Sequence, residues 1–308
     1  MKKRCFNAVI STALLAFTTY AHAYFVQTGL NSSYSRSTTD SAIYYNYSIV
    51  KDKVKLTDIF YQADVQVFFK DVSIKSGPLQ EAAFLDKAGS ASFSYTYDKL
   101  NYDTGITGDT TTDILDTAIR AVVGPVILEA SLQNVDRKKL HYNYKTYETG
   151  IGGYLTNTQE LVFSIGDIHD DHNDTVYGKF RYKGIFTIGK LFLSPYTETR
   201  YSRHKTDYNN VKDYRYSHGI GILLYPLDNF GIGPEIQYIR TNYGFYNEGH
   251  ANAANIFLHL SYMPTTFIVM DFNLQHSSSE EDLEYNSMYQ EKYESKGYGV
   301  SSSIHFRF

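Results

Sequence analysis

The chain has very little cysteine, tryptophan or proline, and it has no long uninterrupted apolar run. It contains 1 cysteine, 0 tryptophans and 6 prolines in 308 residues. A single cysteine excludes a disulfide framework. No segment after residue 23 approaches the ~18 consecutive apolar residues that a transmembrane helix needs. These absences leave two classes: a secreted all-β protein, or a barrel that crosses a membrane with strands.

The N-terminus has the three parts of a secretory signal peptide. Residues 2–4 are basic, residues 8–17 are apolar, and residues 21–23 (AHA) form a small-x-small cleavage site. We therefore predict a signal peptide over residues 1–23 and one mature domain over residues 24–308. Cleavage would remove three cations and the only cysteine, which changes the formal net charge from −4 to −7.

The sequence is rich in aromatic residues and in short stretches that alternate apolar and polar side chains. It holds 30 Tyr and 19 Phe. Alternation with a period of two is typical of a strand, because successive side chains point to opposite faces of the sheet. We count fourteen such segments, and a range of about 12–16 allows for uncertain boundaries. The segments are 26–34, 58–69, 90–97, 115–123, 126–135, 147–155, 161–168, 176–183, 191–201, 214–224, 231–240, 256–262, 267–276 and 298–308.

The connections between these segments differ in length. Several pairs are joined by short turns such as 124–125, whereas other connections are longer and polar, such as 277–292. Outer-membrane barrels have short periplasmic turns and longer extracellular loops. The sequence therefore predicts an all-β fold, a single transmembrane antiparallel β-barrel of about fourteen strands, in the outer membrane of a Gram-negative bacterium. Residues 70–88 are an exception, because strand parity places this long connection on the periplasmic rim.

The last segment, residues 298–308, ends on an aromatic residue. Tyr298, Val300, Ile304 and Phe306 share a face with the terminal Phe308. This strand resembles the closing strand of Gram-negative outer-membrane barrels. The resemblance implies that Phe308 is the assembly signal and that the barrel-assembly machinery is a partner.

A second resemblance is carried by residues 68–95, which read FFKDVSIKSGPLQEAAFLDKAGSASFSY. Turn residues at 76–78 precede about two turns of predicted helix over 79–88. Gly77-Pro78-Leu79 and the EAAFL run that follows resemble a segment of the general bacterial porin family, although Asp71 replaces the proline of that family's pattern. The resemblance implies a passive-diffusion porin and a homo-oligomer such as a trimer, for which the sequence identifies no subunit interface.

A barrel in lipid presents its apolar side chains outward, so the polar set of each strand faces the lumen. Placing Lys or Arg on the lipid face would cost about 2–4 kcal/mol each at the bilayer midplane. On this rule we predict a set of charged pore-lining residues. The cations are Arg120, Lys179, Arg181, Lys183, Arg200, Arg215 and Arg307, and the acids are Asp64, Asp116, Glu129, Glu148, Glu198, Glu235 and Asp271.

Small residues on the same faces predict space inside the barrel. Barrels of about 8 strands are filled by side chains, whereas those of about 16–18 strands leave an aqueous channel. We therefore predict a water-filled pore for small hydrophilic solutes or ions, with a plugged lumen of paired charges as the alternative. Most cations fall on the predicted eighth to tenth strands and most acids on the second and fourth to sixth. This division predicts a field across the pore, unless loops that fold inward reset the charge.

Other chemistry is weakly represented in the sequence. Residues 169–174 (HDDHND) offer imidazole and carboxylate groups, but they lack the glycine and the spaced acid of a calcium loop, so we predict a solvated loop and no metal. Neither G-x-S-x-G nor H-E-x-x-H occurs, and His218 and His276 lie towards loop ends. We predict no catalytic residue, no cofactor and no nucleic-acid partner. The expected partners are outer-membrane lipid and small polar solutes, and the alternative functions are an adhesin or structural barrel and an outer-membrane hydrolase.

Overall fold

The computed structural model shows a closed barrel of antiparallel strands. It describes residues 23–45, 48–73, 77–102, 110–138, 142–170, 173–206, 212–244, 248–286 and 289–308. The strand segments are β1 (Ala23–Tyr45), β2 (Ser48–Ser73), β3 (Ser90–Tyr102), β4 (Thr110–Val123), β5 (Val126–Arg137), β6 (Tyr142–Thr156), β7 (Gln159–Asp170), β8 (Asn173–Gly184), β9 (Phe186–Ile188), β10 (Leu191–Thr206), β11 (Lys212–Leu227), β12 (Phe230–Asn242), β13 (Glu248–Thr265), β14 (Ile268–Asn286) and β15 (Tyr289–Arg307). Between β2 and β3 lie a 3-10 turn (Leu79–Glu81) and a short helix, α1 (Ala82–Leu85).

Strands that are neighbours in sequence are also neighbours in the barrel, and β1 pairs with β15 to close it. Both β8 and β9 pair with β10, so they are two parts of one barrel strand, interrupted at Ile185. The barrel therefore has 14 strands, as predicted. At the closure, the Phe308 N–H donates to the Val26 carbonyl at 2.8 Å and the Phe25 N–H donates to the Phe308 carbonyl at 2.6 Å.

Large apolar side chains cover the outside of the barrel. Val123 and Ile165 are each 69% exposed, and Ile151 and Leu155 are each 60% exposed. An outer apolar band of this kind is the surface that a transmembrane barrel presents to lipid. Among the described residues, no helix has the length and apolar character that a membrane crossing requires. The band and the closed sheet confirm the predicted transmembrane barrel.

The strands extend beyond the predicted segments, mainly at their extracellular ends. The polar stretch from residue 37 to about residue 57 lies outside the counted segments, and its apolar residues 43–45 suggest that the strands extend beyond the membrane. In the structure this stretch is a continued hairpin of β1 and β2, which are 23 and 26 residues long. Most of 277–292, predicted as a loop, also belongs to β14 and β15. Both faces of a hairpin above the membrane meet water, so an apolar period does not set its length. We call the strands β13, β14, β15, β1 and β2 the tall wall, since each has at least 18 residues, whereas β5, β7 and β8 have 12.

Residues 1–22 of the predicted signal peptide lie outside the described residues, and Ala23 begins β1. The division into residues 1–23 and 24–308 therefore stays a prediction.

Close approach of two strands requires glycine at residue 233. A Cβ placed on Gly233 would lie 1.8 Å from the backbone oxygen of Ile222 on β11. We expect Gly233→Ala to lower the free energy of unfolding by about 1–3 kcal/mol, because the strands must separate to admit the methyl group. Urea unfolding followed by circular dichroism measures this, since the chain has 0 tryptophans. Gly178→Ala is the matched control, since no atom lies within 4 Å of its added Cβ. Equal losses in the two variants would contradict the expectation.

Candidate functional site

The segment between β2 and β3 folds into the periplasmic end of the lumen. We call residues 77–88 the plug segment. Its entry turn depends on Gly77, whose φ of 77° is in the left-handed region that favours glycine. Pro78 follows with φ −59° and precedes the 3-10 turn, a position that its fixed φ suits. The sequence prediction of a helical segment at this point is confirmed, although α1 is only 4 residues long.

The start of the plug segment is bound to two distant parts of the barrel. The Leu79 N–H donates to the carbonyl of Asp228, in the turn between β11 and β12, at 2.9 Å. The Leu79 carbonyl accepts from Arg307 Nη1 at 2.8 Å. Arg307 is only 3% exposed, and its Nε donates to Gln27 on β1 at 3.0 Å. The closing strand and the first strand thus hold the same end of the plug segment.

A buried acid fixes the middle of the plug segment. Glu81 is 5% exposed, and its Oε1 accepts from Ser194 on β10 and from Tyr225 on β11, each at 3.1 Å. Its Oε2 lies 2.5 Å from Lys183 Nζ on β8. Burial of a carboxylate is costly unless it is paired and hydrogen-bonded, and all three partners meet that need.

The far end of the plug segment packs against an apolar patch on the lumen side of the wall. Phe84 packs against a cluster that includes the buried residues Ile127 and Val162, and its ring lies 6.0 Å from that of Tyr154. Lys87 Nζ donates to Asn157 Oδ1, in the turn between β6 and β7, at 3.0 Å. The plug segment therefore contacts strands from β6 around to β15 and crosses the periplasmic mouth. This crossing explains why one periplasmic connection is long.

Several of the predicted lumen charges form one ion-pair network on the wall from β4 to β8. Arg120 Nη1 lies 2.6 Å from Glu129 Oε1, and Arg120 Nη2 pairs with Glu160. Arg181 Nη2 contacts the same Glu129 oxygen at 2.7 Å and lies 3.7 Å from Glu160. A neighbouring pair joins Lys179 to Glu148. These bonds connect cations and acids of strands one to three apart on one wall, so this part of the lumen is internally neutralised and does not present the separated charge that the sequence predicted.

The opposite wall carries acids whose basic neighbours are histidines. His259 Nε2 lies 2.9 Å from Glu235, which also accepts from the Tyr196 hydroxyl at 2.5 Å. His305 lies between two acids, at 3.9 Å from Asp64 and 3.7 Å from Asp271. This wall is therefore more acidic in character than the β4–β8 wall.

Two polar cavities lie in the lumen above the plug segment, with volumes of about 690 Å³ and 540 Å³. Arg181 and Lys183 line both cavities. Of the other predicted residues, the first cavity is lined by Glu198, Glu235, Asp271 and Arg307, and the second by Arg120, Glu129, Glu148 and Lys179. Four predicted residues line neither cavity. Among these, Asp64 is near His305, Asp116 accepts from Ser94, Arg200 lies over the Tyr177 ring and Arg215 is exposed.

Glycines on the lumen face make room for neighbouring rings. A Cβ on Gly221 would lie 2.4 Å from the ring of Tyr196, its cross-strand partner. Gly166 stands in the same relation to Tyr177, at 2.2 Å. Aromatic side chains laid over glycines in this way support a curved sheet. The small residues therefore leave less open space than the sequence predicted.

Sequence reasoning missed two acids and an apolar patch. Glu160 was placed in a turn, whereas it begins β7 and pairs with Arg120. Glu81 lay in the predicted helix, and nothing local indicates its partners on β8, β10 and β11. Val162 and Ile127 carried no polar signal, so their place under Phe84 was not predicted.

The predicted solvated loop at 169–174 is only partly within the described residues. His169 Nδ1 lies 2.7 Å from Asp174 Oδ1, and this hydrogen bond raises the pKa of the histidine. Residues 171 and 172 lie outside the described residues. No group of three or more metal-ligating side chains is found in the part of the chain that the structure describes.

Comparison with solved structures places this fold among bacterial outer-membrane barrels. The chain is similar to the outer membrane protein Omp33 of Acinetobacter baumannii, with a TM-score of 0.50 and 15% identity over 93% of this chain and 99% of that chain. A loop-deletion mutant of OmpT, an outer membrane protein of Vibrio cholerae, gives a TM-score of 0.43 at 8% identity, over 90% and 99% of the two chains. A FadL homologue of Pseudomonas aeruginosa gives 0.45 at 9% identity, over 92% and 90%.

No protein-family model matches this chain, and no curated protein does. The fold and its apolar outer band show an outer-membrane β-barrel, which agrees with the predicted location. The resemblance to the general bacterial porin family stays a prediction.

The Arg120 network should contribute to stability as well as to lumen charge. We expect Arg120→Gln to lower the free energy of unfolding by about 3 kcal/mol, because Glu160, with a side chain 4% exposed, loses its direct partner. Urea unfolding followed by circular dichroism measures the loss. Arg215→Gln removes an exposed lumen cation as the control and should change stability by less than about 0.5 kcal/mol. A similar loss of unfolding free energy in both variants would contradict a specific contribution of the Arg120 ion pairs to stability.

Proposed function

We propose that the protein is a channel for small hydrophilic solutes or ions, and that the plug segment limits passage at its periplasmic end. The observation that carries this proposal is the pair of polar cavities above the plug segment, lined by ten of the charged residues predicted from the sequence. A barrel meant only as a structural support would not need charged cavities of this size. The proposed partners are small solutes, outer-membrane lipid and, through Phe308, the barrel-assembly machinery.

The plug segment is held by polar contacts that can break without unfolding the barrel. Glu81 contacts Ser194 and Tyr225 through side chains, and Leu79 is held by two hydrogen bonds. Phe84 packs at the edge of an apolar cluster. Loosening these contacts would open the periplasmic mouth while the strand pairings remain.

Cross-linking tests this proposal directly. Cysteines at Glu81 and Ser194, whose side chains lie 3.1 Å apart, can be joined by a short bis-methanethiosulfonate reagent, in which each cysteine thiolate displaces a methanesulfinate and forms a reducible disulfide. No other thiol interferes in the mature chain, because the only natural cysteine is Cys5 in the predicted signal peptide. In planar bilayers, we expect single-channel conductance to fall on cross-linking and to recover on reduction. The two single-cysteine variants are the controls and should not respond. A conductance that does not change on cross-linking would contradict the role of the plug segment. The absence of any conductance in all variants would contradict the channel.

Loosening the plug segment should have the opposite effect. We expect Glu81→Ala combined with Phe84→Ala to raise the mean conductance at least threefold, because both side chains that anchor the segment across the mouth are removed. Gln80→Ala is the matched control, since neither of its side-chain polar atoms has a hydrogen-bond partner among the described residues. No rise in the double variant, or an equal rise in the control, would count against the proposal.

A hydrolase is the second candidate, favoured by one contact. Ser303 Oγ lies 3.1 Å from His305 Nε2, and Asp64 lies 3.9 Å from the other ring nitrogen. That nitrogen has no hydrogen-bond partner among the described residues. Asp64 therefore does not orient the His305 ring as the carboxylate of a Ser-His-Asp triad would. Ser303 also lies in mid-strand, where the sheet uses the backbone N–H groups that would stabilise an oxyanion. A screen with ester and peptide substrates separates the two: turnover that Ser303→Ala abolishes would favour the hydrolase.

A further inference from the structure

Three cations in two adjacent cross-strand rows form a cluster on the outer face of the tall wall, next to the membrane. Thr38 on β1 is paired with Lys55 on β2 and with Lys296 on β15, and directly opposed residues point to the same face. Arg36 lies two residues nearer the membrane on the same face. Since neighbouring strands are about 4.8 Å apart, the two lysines begin about 10 Å from each other. All three cations are exposed.

Arg36, Lys55 and Lys296 have no ion-pair partner among the described residues. Farther out on the same face, Lys53 lies 3.2 Å from Asp40 and Lys292 lies 3.2 Å from Glu280, whereas Lys51 has no ion-pair partner among the described residues either. Three of the four unpaired cations that the structure describes on this face of β15, β1 and β2 are therefore the three nearest the membrane. On β4, two strands beyond β2, the outer face at Asp113 carries an acid paired with Lys138.

An apolar groove of about 760 Å³ lies immediately below this cluster on the membrane face. Its walls include Ile256, Leu258, Leu274 and Val300, which are 37–50% exposed. Arg36, His276 and the 70% exposed Tyr298 line its extracellular end, where they occupy one cross-strand row. His276 Nδ1 is buried and has no hydrogen-bond partner among the described residues. Buried polar atoms normally have a partner, which is a protein group, a water or a ligand.

The apolar groove and the cations lie in the same order, from the membrane outward, as the acyl chains and the phosphorylated headgroup of a membrane lipid. Tyr298 marks the aromatic girdle, at the level of the headgroups. Lys55 and Lys296 lie one row farther out, about 7 Å along the strand. An acyl chain in the groove would bring a phosphate group to the cations, and several unpaired cations at this spacing suit a headgroup with more than one phosphate.

We propose that this face of the tall wall binds a phosphorylated glycolipid of the outer leaflet, with acyl chains in the groove and phosphate at Arg36, Lys55 and Lys296. The site is on the outside of the barrel and does not depend on the channel proposed above. A failure of either leaves the other intact, because one is measured by ion flow and the other by lipid binding.

The test uses thermal unfolding of the full barrel in neutral detergent, with diphosphoryl lipid A as the probe. A ligand that binds only the folded state raises the unfolding temperature by an amount that grows with the logarithm of its concentration relative to its Kd, so a titration gives an apparent Kd. We expect stabilisation by diphosphoryl lipid A and at least tenfold weaker apparent binding for R36Q/K55Q/K296Q. The matched control K51Q/K53Q/K292Q removes the same charge farther out, by about 7 Å at Lys53 and about 13 Å at Lys51 and Lys292, and it should stay within twofold of the native protein.

Three comparison ligands separate the sources of any effect. Dephosphorylated lipid A should bind at least tenfold more weakly, and inorganic phosphate at the same concentration should not stabilise the barrel. Phosphatidylglycerol should also bind more weakly than diphosphoryl lipid A. Equal binding of dephosphorylated lipid A, equal stabilisation by inorganic phosphate, or equal binding of phosphatidylglycerol would each overturn the proposal, as would equal weakening by the two triple variants.

A variant of the groove tests the apolar half with the charges intact. Val300→Trp places a large aromatic ring in the groove on the lipid face. The native side chain is 44% exposed, so there is room for the ring and folding should be unaffected. We expect at least fivefold weaker binding of diphosphoryl lipid A. Light scattering without lipid checks a further outcome. A native dimer or trimer that this variant dissociates would assign the groove to contact between copies of the chain and would overturn the lipid site.

Discussion

Backbone hydrogen bonding in lipid is the constraint on which the rest of this structure depends. Hydrocarbon offers no partner to a free N–H or C=O group, so a spanning sheet has no stable edge until it closes. Pairing of β1 with β15 removes the last edge. Closure then divides each strand into a lipid face and a lumen face, and the charges gathered inside must find partners. Arg120, Arg181 and Lys179 find them in acids of strands one to three apart on the same wall.

The number of strands and their facing could be predicted from the sequence, because lipid imposes a period of two on each spanning segment. Residues 59–69 illustrate this, since every second residue is apolar and faces outward. The same rule does not apply above the membrane, where both faces of a hairpin meet water. Residues 277–284, for example, carry no apolar period, although they continue β14. The length of the tall wall could therefore not be predicted from alternation.

The position of the plug segment along the chain could be predicted from the sequence, but the residues that it contacts could not. Its turn residues and helical pattern are local signals, and both appear in the structure. Its partners are long-range. Glu81 reaches Ser194 and Tyr225, more than 100 residues away in the chain. The apolar residues beneath Phe84, such as Ile127, lie at positions that the two-face rule assigns to the lumen. An apolar residue on the lumen face breaks the two-face pattern, and the sequence gives no reason for it until its contact with Phe84 is known.

The contact between Arg307 and Leu79 links the ends of the chain to its middle. Arg307 belongs to β15, the closing strand, whereas the plug segment follows β2. The Leu79 carbonyl therefore lacks this donor until β15 has docked beside β1. The contacts of Glu81 with β10 and β11 do not depend on that step. During assembly, the plug segment can therefore lie in the lumen before the barrel closes, and closure adds the last of its anchors.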